Sequence, residues 1–102
     1  MQTYKVVFSD LSKADLQSIV TYIAHVESPT RAKHVERGIL SEAKKLQHFP
    51  NGYARDEYAS SDTLTVRFIV KWSYKILFVV VRDTVQVVAI FHTAQSPDKL
   101  NF

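Results

Sequence analysis

Arg67, Lys71, Lys75 and His92 are the side chains of this chain whose types and spacing could do chemistry. Metal-free cleavage of an RNA strand needs a base for the 2′-hydroxyl proton, an acid for the leaving oxygen, and cations that stabilise the phosphorane charge. Histidine titrates in the range that serves either proton transfer. The set is thin, however. Thr93, Ala94, Gln95, Ser96 and Pro97 follow His92, and none of them is a good acid, base or phosphate cation. A lone histidine at a strand end is more often held by backbone than catalytic. His92 is therefore read as structural and the chain as a binding protein, with metal-independent endoribonuclease chemistry as the alternative.

Other constellations are weaker. His25, His34 and His48 fall on or near helices at spacings that do not gather them. There is no cysteine, hence no thiolate metal site and no disulfide. No glycine-rich phosphate loop or nucleophile elbow occurs. The expectation is no metal and no cofactor.

The elements that must position these residues follow from hydrophobic periodicity. Three β runs, Leu64 to Lys71, Tyr74 to Val81 and Val85 to His92, are crowded with Val, Ile, Phe and Thr and separated by short polar breaks, the pattern of an antiparallel meander. A fourth strand is expected at Tyr4 to Phe8. Ser12, three residues before Asp15, is a weak capping box for a first helix whose stripe is Leu16, Ile19, Val20, Ile23 and Val26, with Tyr22 at its flank. That helix stops near Glu27. Ser28 caps a second helix with Pro29 at its first position and a stripe of Ala32, Val35, Ile39, Leu40, Ala43, Leu46 and Phe49. Arg31, Lys33, Arg37, Lys44 and Lys45 form its solvated side. Residues 50–63 read as a polar surface loop. The expected architecture is α+β in a single domain over residues 1–102: an N-terminal strand, an antiparallel helical hairpin, then the meander, with both helices on one face of one sheet.

Side chains alternate along a strand, and a slip of one residue exchanges the faces. If one face carries all the apolar sets, the loop around Trp72 must hold an odd number of residues or a bulge, somewhere in Lys71 to Lys75. The other face is then Thr65, Arg67, Ile69 and Lys71; Lys75, Leu77, Val79 and Val81; Gln86, Val88, Ile90 and His92. Its apolar strip suggests a protein partner. Arg67, Ile69, Lys71, Lys75, Leu77, Val79, Gln86, Val88, Ile90 and His92 are the expected contacts with that partner.

The net charge is +3, and the excess falls in residues 63–102, on the sheet half. That placement suits an acidic or phosphate-rich partner, although an excess this small is more simply solubilising. No apolar run follows a basic start at the N-terminus, and the longest one, Ile76 to Val81, is far short of the ~20 residues that cross a bilayer. A cytoplasmic location without membrane contact is expected.

The order of elements resembles the RelE/ParE superfamily of bacterial type II toxin–antitoxin toxins over nearly the whole chain. The likeness is carried by Ala14-Asp15-Leu16, Ile19 and Tyr22-Ile23 in the first helix, and by Phe49-Pro50 after the second. Tyr74-Lys75-Ile76-Leu77-Phe78 and Ile90-Phe91-His92 in the strands add to it, and Ser96-Pro97-Asp98-Lys99-Leu100 resembles the ParE-type ending. The resemblance implies a toxin silenced by a cognate antitoxin. The ParE-like branch implies inhibition of DNA gyrase; the RelE-like alternative implies cleavage of mRNA on the ribosome by His92, Arg67, Lys71 and Lys75. ParE-type chains usually continue after this histidine with Gly and two Arg, where this chain has Thr93, Ala94 and Gln95.

Overall fold

The computed structural model describes residues 3–94. Strand β1 (Lys5–Phe8) leads into helix α1 (Asp10–Val26) and helix α2 (Pro29–Lys44), and the chain returns as β2 (Arg67–Lys71), β3 (Tyr74–Val81) and β4 (Thr84–His92). The four strands form one sheet in the order β1-β4-β3-β2. The meander is antiparallel, and β1 pairs parallel to β4, with Val6 opposite Val85. The expected α+β architecture is thus the observed one.

Local chemistry sets the helix boundaries. Ser9, not Ser12, caps α1: its hydroxyl accepts from the Ser12 amide, and the Ser12 hydroxyl donates back to the Ser9 carbonyl at 2.9 Å. The cap lies three residues earlier than expected because β1 ends directly on the helix. Asp15 is thereby released from capping, and its carboxylate accepts the Ile90 amide of β4 at 2.9 Å. Ser28 caps α2 as expected, accepting from the Arg31 amide, with Pro29 in the first turn. Three members of the predicted stripes are exposed: Val26 at the last turn of α1, Leu40 on α2, and Phe49 beyond the end of α2.

The faces of the sheet differ from the expectation in register. Lys71 pairs with Tyr74 across a two-residue Trp72-Ser73 turn, so the loop is even, not odd. The irregularity lies in β4 instead: Phe78 faces Val87 and Leu77 faces Ala89, leaving Val88 as a bulge that reverses the parity of the strand beyond it. Ile69, Ile76, Phe78, Val85, Val87 and Ile90 consequently pack under the helices with Leu16, Ile23, Val35, Ile39 and Leu46. Val66, Leu77, Val79, Ala89 and Phe91 form a second buried cluster, with Phe68, Val88 and Ala59 against it. An odd loop follows only if one face is buried; this sheet buries both. Each fully buried Leu, Ile, Val or Phe side chain contributes roughly 1.5–3 kcal/mol, so the second cluster outweighs the cost of the bulge.

The first strand of the meander is also shorter than expected, starting at Arg67 rather than Leu64. Residues before it belong to a loop stitched to the sheet edge: the Asp56 amide donates to the Val66 carbonyl, and the Phe68 amide donates to Ala54. Among the described residues, three other than glycine adopt left-handed backbone, Phe49, Trp72 and Arg82, each at a cost of roughly 1–2 kcal/mol. Among the described residues no helix is long and apolar enough to cross a membrane.

Candidate functional site

The register brings Lys71, Tyr74 and His92 into one row across β2, β3 and β4, since Lys71 pairs with Tyr74 and Tyr74 with His92. The row lies at the end of the sheet, on the helix side. Tyr74 and His92 meet edge to face, ring centroids 5.4 Å apart, and His92 Nδ1 accepts the Ala94 amide at 3.0 Å. Burial, helped by the Glu27 carboxylate, pushes the Tyr74 phenol above its ordinary pKa, with Arg31 pulling the other way.

Beside this row, Trp72 lies on α2. Gly38 makes the seat: a Cβ built there would fall 2.2 Å from the indole ring. The His34 ring is 5.2 Å from the indole, and Lys71 Nζ sits 4.7 Å over it. Lys71 also reaches Glu42, 4.0 Å away, a carboxylate it shares with Lys45. A left-handed residue at the turn is thus held by packing of its own ring.

The four residues of the ribonuclease reading do not form one site. Lys75 is on the far face, its Nζ 2.5 Å from Asp56 and 4.2 Å over the Phe68 ring. Burial opposes the Asp56 charge, but bonds from Lys75 and the Ala59 amide outweigh it and hold the carboxyl below its ordinary pKa. Arg67 stands four residues along β2 from Lys71, ~13 Å at strand rise, and donates to the Tyr53 carbonyl at 2.7 Å. Lys71 and His92 alone share an end of the sheet. Two cations are committed elsewhere, one to an ion pair and one to a loop carbonyl.

The expected binding face is divided in the same way. Arg67, Ile69, Lys71, Ile90 and His92 are on the helix side; Lys75, Leu77, Val79 and Gln86 are on the other; Val88 is the bulge. Ile69, Ile90, Leu77 and Val79 are buried in the two cores, while Gln86 and His92 are exposed. Parity without the bulge produced a single open face that this register does not contain. Asp15, Glu42 and Asp56 were missed as organising groups, and only the pairing partners that folding supplies reveal them. Among the described residues no cluster of three or more His, Asp or Glu side chains could hold a metal ion.

Comparison with solved structures finds the same fold in chains from two toxin–antitoxin systems. The chain is similar to one from the chromosomal ParDE toxin–antitoxin system of P. aeruginosa, at 18% identity and a TM-score of 0.72, covering 88% of this chain and 96% of that one. It is also similar to a chain of the RelBE2 toxin–antitoxin complex of Mycobacterium tuberculosis, at 17% identity and a TM-score of 0.66, covering 93% of this chain and 97% of that one. At such identities the likeness establishes the fold. A sequence search of curated proteins gives no match. Residues 6–97 match the profile of the ParE toxin of type II toxin–antitoxin systems. The chain belongs to the ParE toxin family.

Proposed function

We propose that this toxin acts as a gyrase-binding inhibitor, held silent by a cognate antitoxin, and that it does not cut RNA. The observation that carries the reading is the dispersal of Arg67, Lys71, Lys75 and His92 over two faces and two ends of the sheet. Transfer of two protons and stabilisation of a phosphorane need groups within hydrogen-bond reach of one phosphate. Family membership over residues 6–97 supports the ParE-like branch, and both solved relatives are described as toxin–antitoxin systems, which supports an antitoxin partner. The same reading puts the protein in the cytoplasm with its target.

The test is plasmid supercoiling by purified gyrase with the toxin added. Supercoiling should fall, and His92→Ala should leave the inhibition largely intact. Unchanged supercoiling, together with ribosome-dependent mRNA cleavage that His92→Ala slows by ~100-fold, would overturn the proposal in favour of a RelE-like endoribonuclease.

A further inference from the structure

Phe49 closes the apolar series of α2 in the sequence, yet its ring is 70% exposed. The helix ends at Lys44, and a 3-10 turn over Lys45–Gln47 shifts the phase before Phe49 is reached. Phe49 then takes left-handed backbone, φ 52 and ψ 47, which directs the ring out of the core series. Glycine or asparagine would occupy this conformation with less strain. Trp72 bears similar strain, but its ring is seated on Gly38 between His34 and Lys71. Trp72 is still 48% exposed, but among the described residues the Phe49 ring has no such ring or cation contact to offset its strain.

The turn around Phe49 is nonetheless fixed. Pro50 is buried, and the Phe49 carbonyl accepts the Gly52 amide at 3.0 Å. A hollow of about 200 Å³ lies against the ring, lined by Tyr4, Phe49, Asn51 and Gly52. A Cβ on Gly52 would meet nothing within 4 Å, so the hollow is open there. A second depression, lined by Lys44, Lys45, His48 and Tyr53 among others, draws on the stretch of chain that leads into Phe49, with His48 directly before it. Lys44 enters no ion pair among the described residues. A rigid exposed aromatic beside an apolar hollow and unpaired positive charge has the form of a binding hot spot, preorganised at the expense of local strain.

We infer that Phe49 anchors a docking surface for the protein target of this toxin: an acidic segment that places one apolar or aromatic side chain in the Tyr4–Phe49–Gly52 hollow and carboxylates against Lys44 and His48. The inference rests on the reading of the chain as a toxin that works by binding a protein, and it assigns the surface that does so.

Three variants of the full chain test it, each induced in a bacterial host and purified for thermal unfolding. Phe49→Asn removes the anchor and suits the left-handed backbone, so growth inhibition should fall at least tenfold while the thermal midpoint holds or rises. Phe49→Trp should retain inhibition. Gly52→Leu places bulk in the hollow while leaving Phe49 itself unchanged, and should lose inhibition as Phe49→Asn does. Full toxicity of Phe49→Asn or of Gly52→Leu would overturn the inference. Loss in both with toxicity kept in Phe49→Trp would support it even if the midpoint of one had dropped. The supercoiling assay separates the two proposals: wild-type protein that arrests growth but leaves gyrase active refutes the gyrase reading alone. Phe49→Asn that still arrests growth refutes the docking surface alone.

Discussion

On the helix side of the sheet, Asp15 of α1 receives the Ile90 amide of β4. On the far side, Asp56 of the long loop receives the Lys75 ammonium of β3. Both carboxylates tie a covering segment to a strand, but they do so with opposite electrostatics. Asp15 meets only a backbone dipole, and burial pushes its carboxyl above the ordinary value. Asp56 has a full counter-charge and is held below it. The difference follows from what covers each face. Two amphipathic helices seal the first with apolar side chains, and a carboxylate there is a guest. A largely polar loop covers the second, and its attachment depends on an ion pair among apolar neighbours.

Removing the ion pair should have the largest effect. Asp56 is 3% exposed, and Asp56→Ala leaves a cation without its partner and the Ala59 amide without an acceptor. A loss of about 3 kcal/mol in denaturant unfolding is expected, near the low end for a broken buried pair, because the Lys75 side chain keeps 23% of its exposure to water. The double variant Asp56→Asn with Lys75→Met should recover much of that loss, since an uncompensated charge no longer remains. Equal damage in the single and double variants would show that the loop is held by its backbone bonds instead.

The seal on the helix side should break more gently. Gly38→Ala adds a methyl group into the Trp72 ring. Overpacking costs ~1–3 kcal/mol, and the better helix propensity of alanine offsets about 1 kcal/mol, which leaves a net loss near 1 kcal/mol. Trp72 is the sole tryptophan, so a red shift of its emission should report the ring leaving its seat. An unshifted spectrum would mean that α2 moves and the ring stays.

Much of this molecule could be read from local pattern. The Ser28-Pro29 start of α2 and the bounds of β3 follow from residue type and period, because each is decided within a few neighbours. The faces of the sheet could not be read in this way. One bulge at Val88 moves Ile90 and His92 from one face to the other, and nothing in the run Val85-Gln86-Val87-Val88-Ala89 marks it. The candidate site inherited that error, since it was built by parity. Phe49 was misplaced for a related reason: an apolar residue at helical spacing says nothing about where the helix has already ended.

The smallest effect gives the finest separation of the two faces. A carboxyl whose folded pKa is raised keeps its proton where the unfolded chain has lost it. Stability therefore falls as pH rises through the window between the ordinary carboxyl value of 3.8 and the raised value of Asp15. For Asp56 the sign reverses. The unfolded chain holds the proton longer, so its contribution is present above 3.8 and is lost as pH falls through its depressed value. The two windows lie on opposite sides of 3.8 and need not overlap. Asp15→Asn keeps an oxygen to accept the Ile90 amide and removes the buried charge. At neutral pH it should leave stability unchanged or raise it by less than ~1 kcal/mol, and the difference from wild type should vanish on acidification towards pH 4. Asp56→Asn should differ from wild type at neutral pH in the other direction and converge with it only further into acid. Unfolding midpoints of the two variants between pH 7 and the acid limit test both signs. A midpoint for Asp15→Asn well below wild type at neutral pH would show that the charge itself, and not its oxygen, binds α1 to β4.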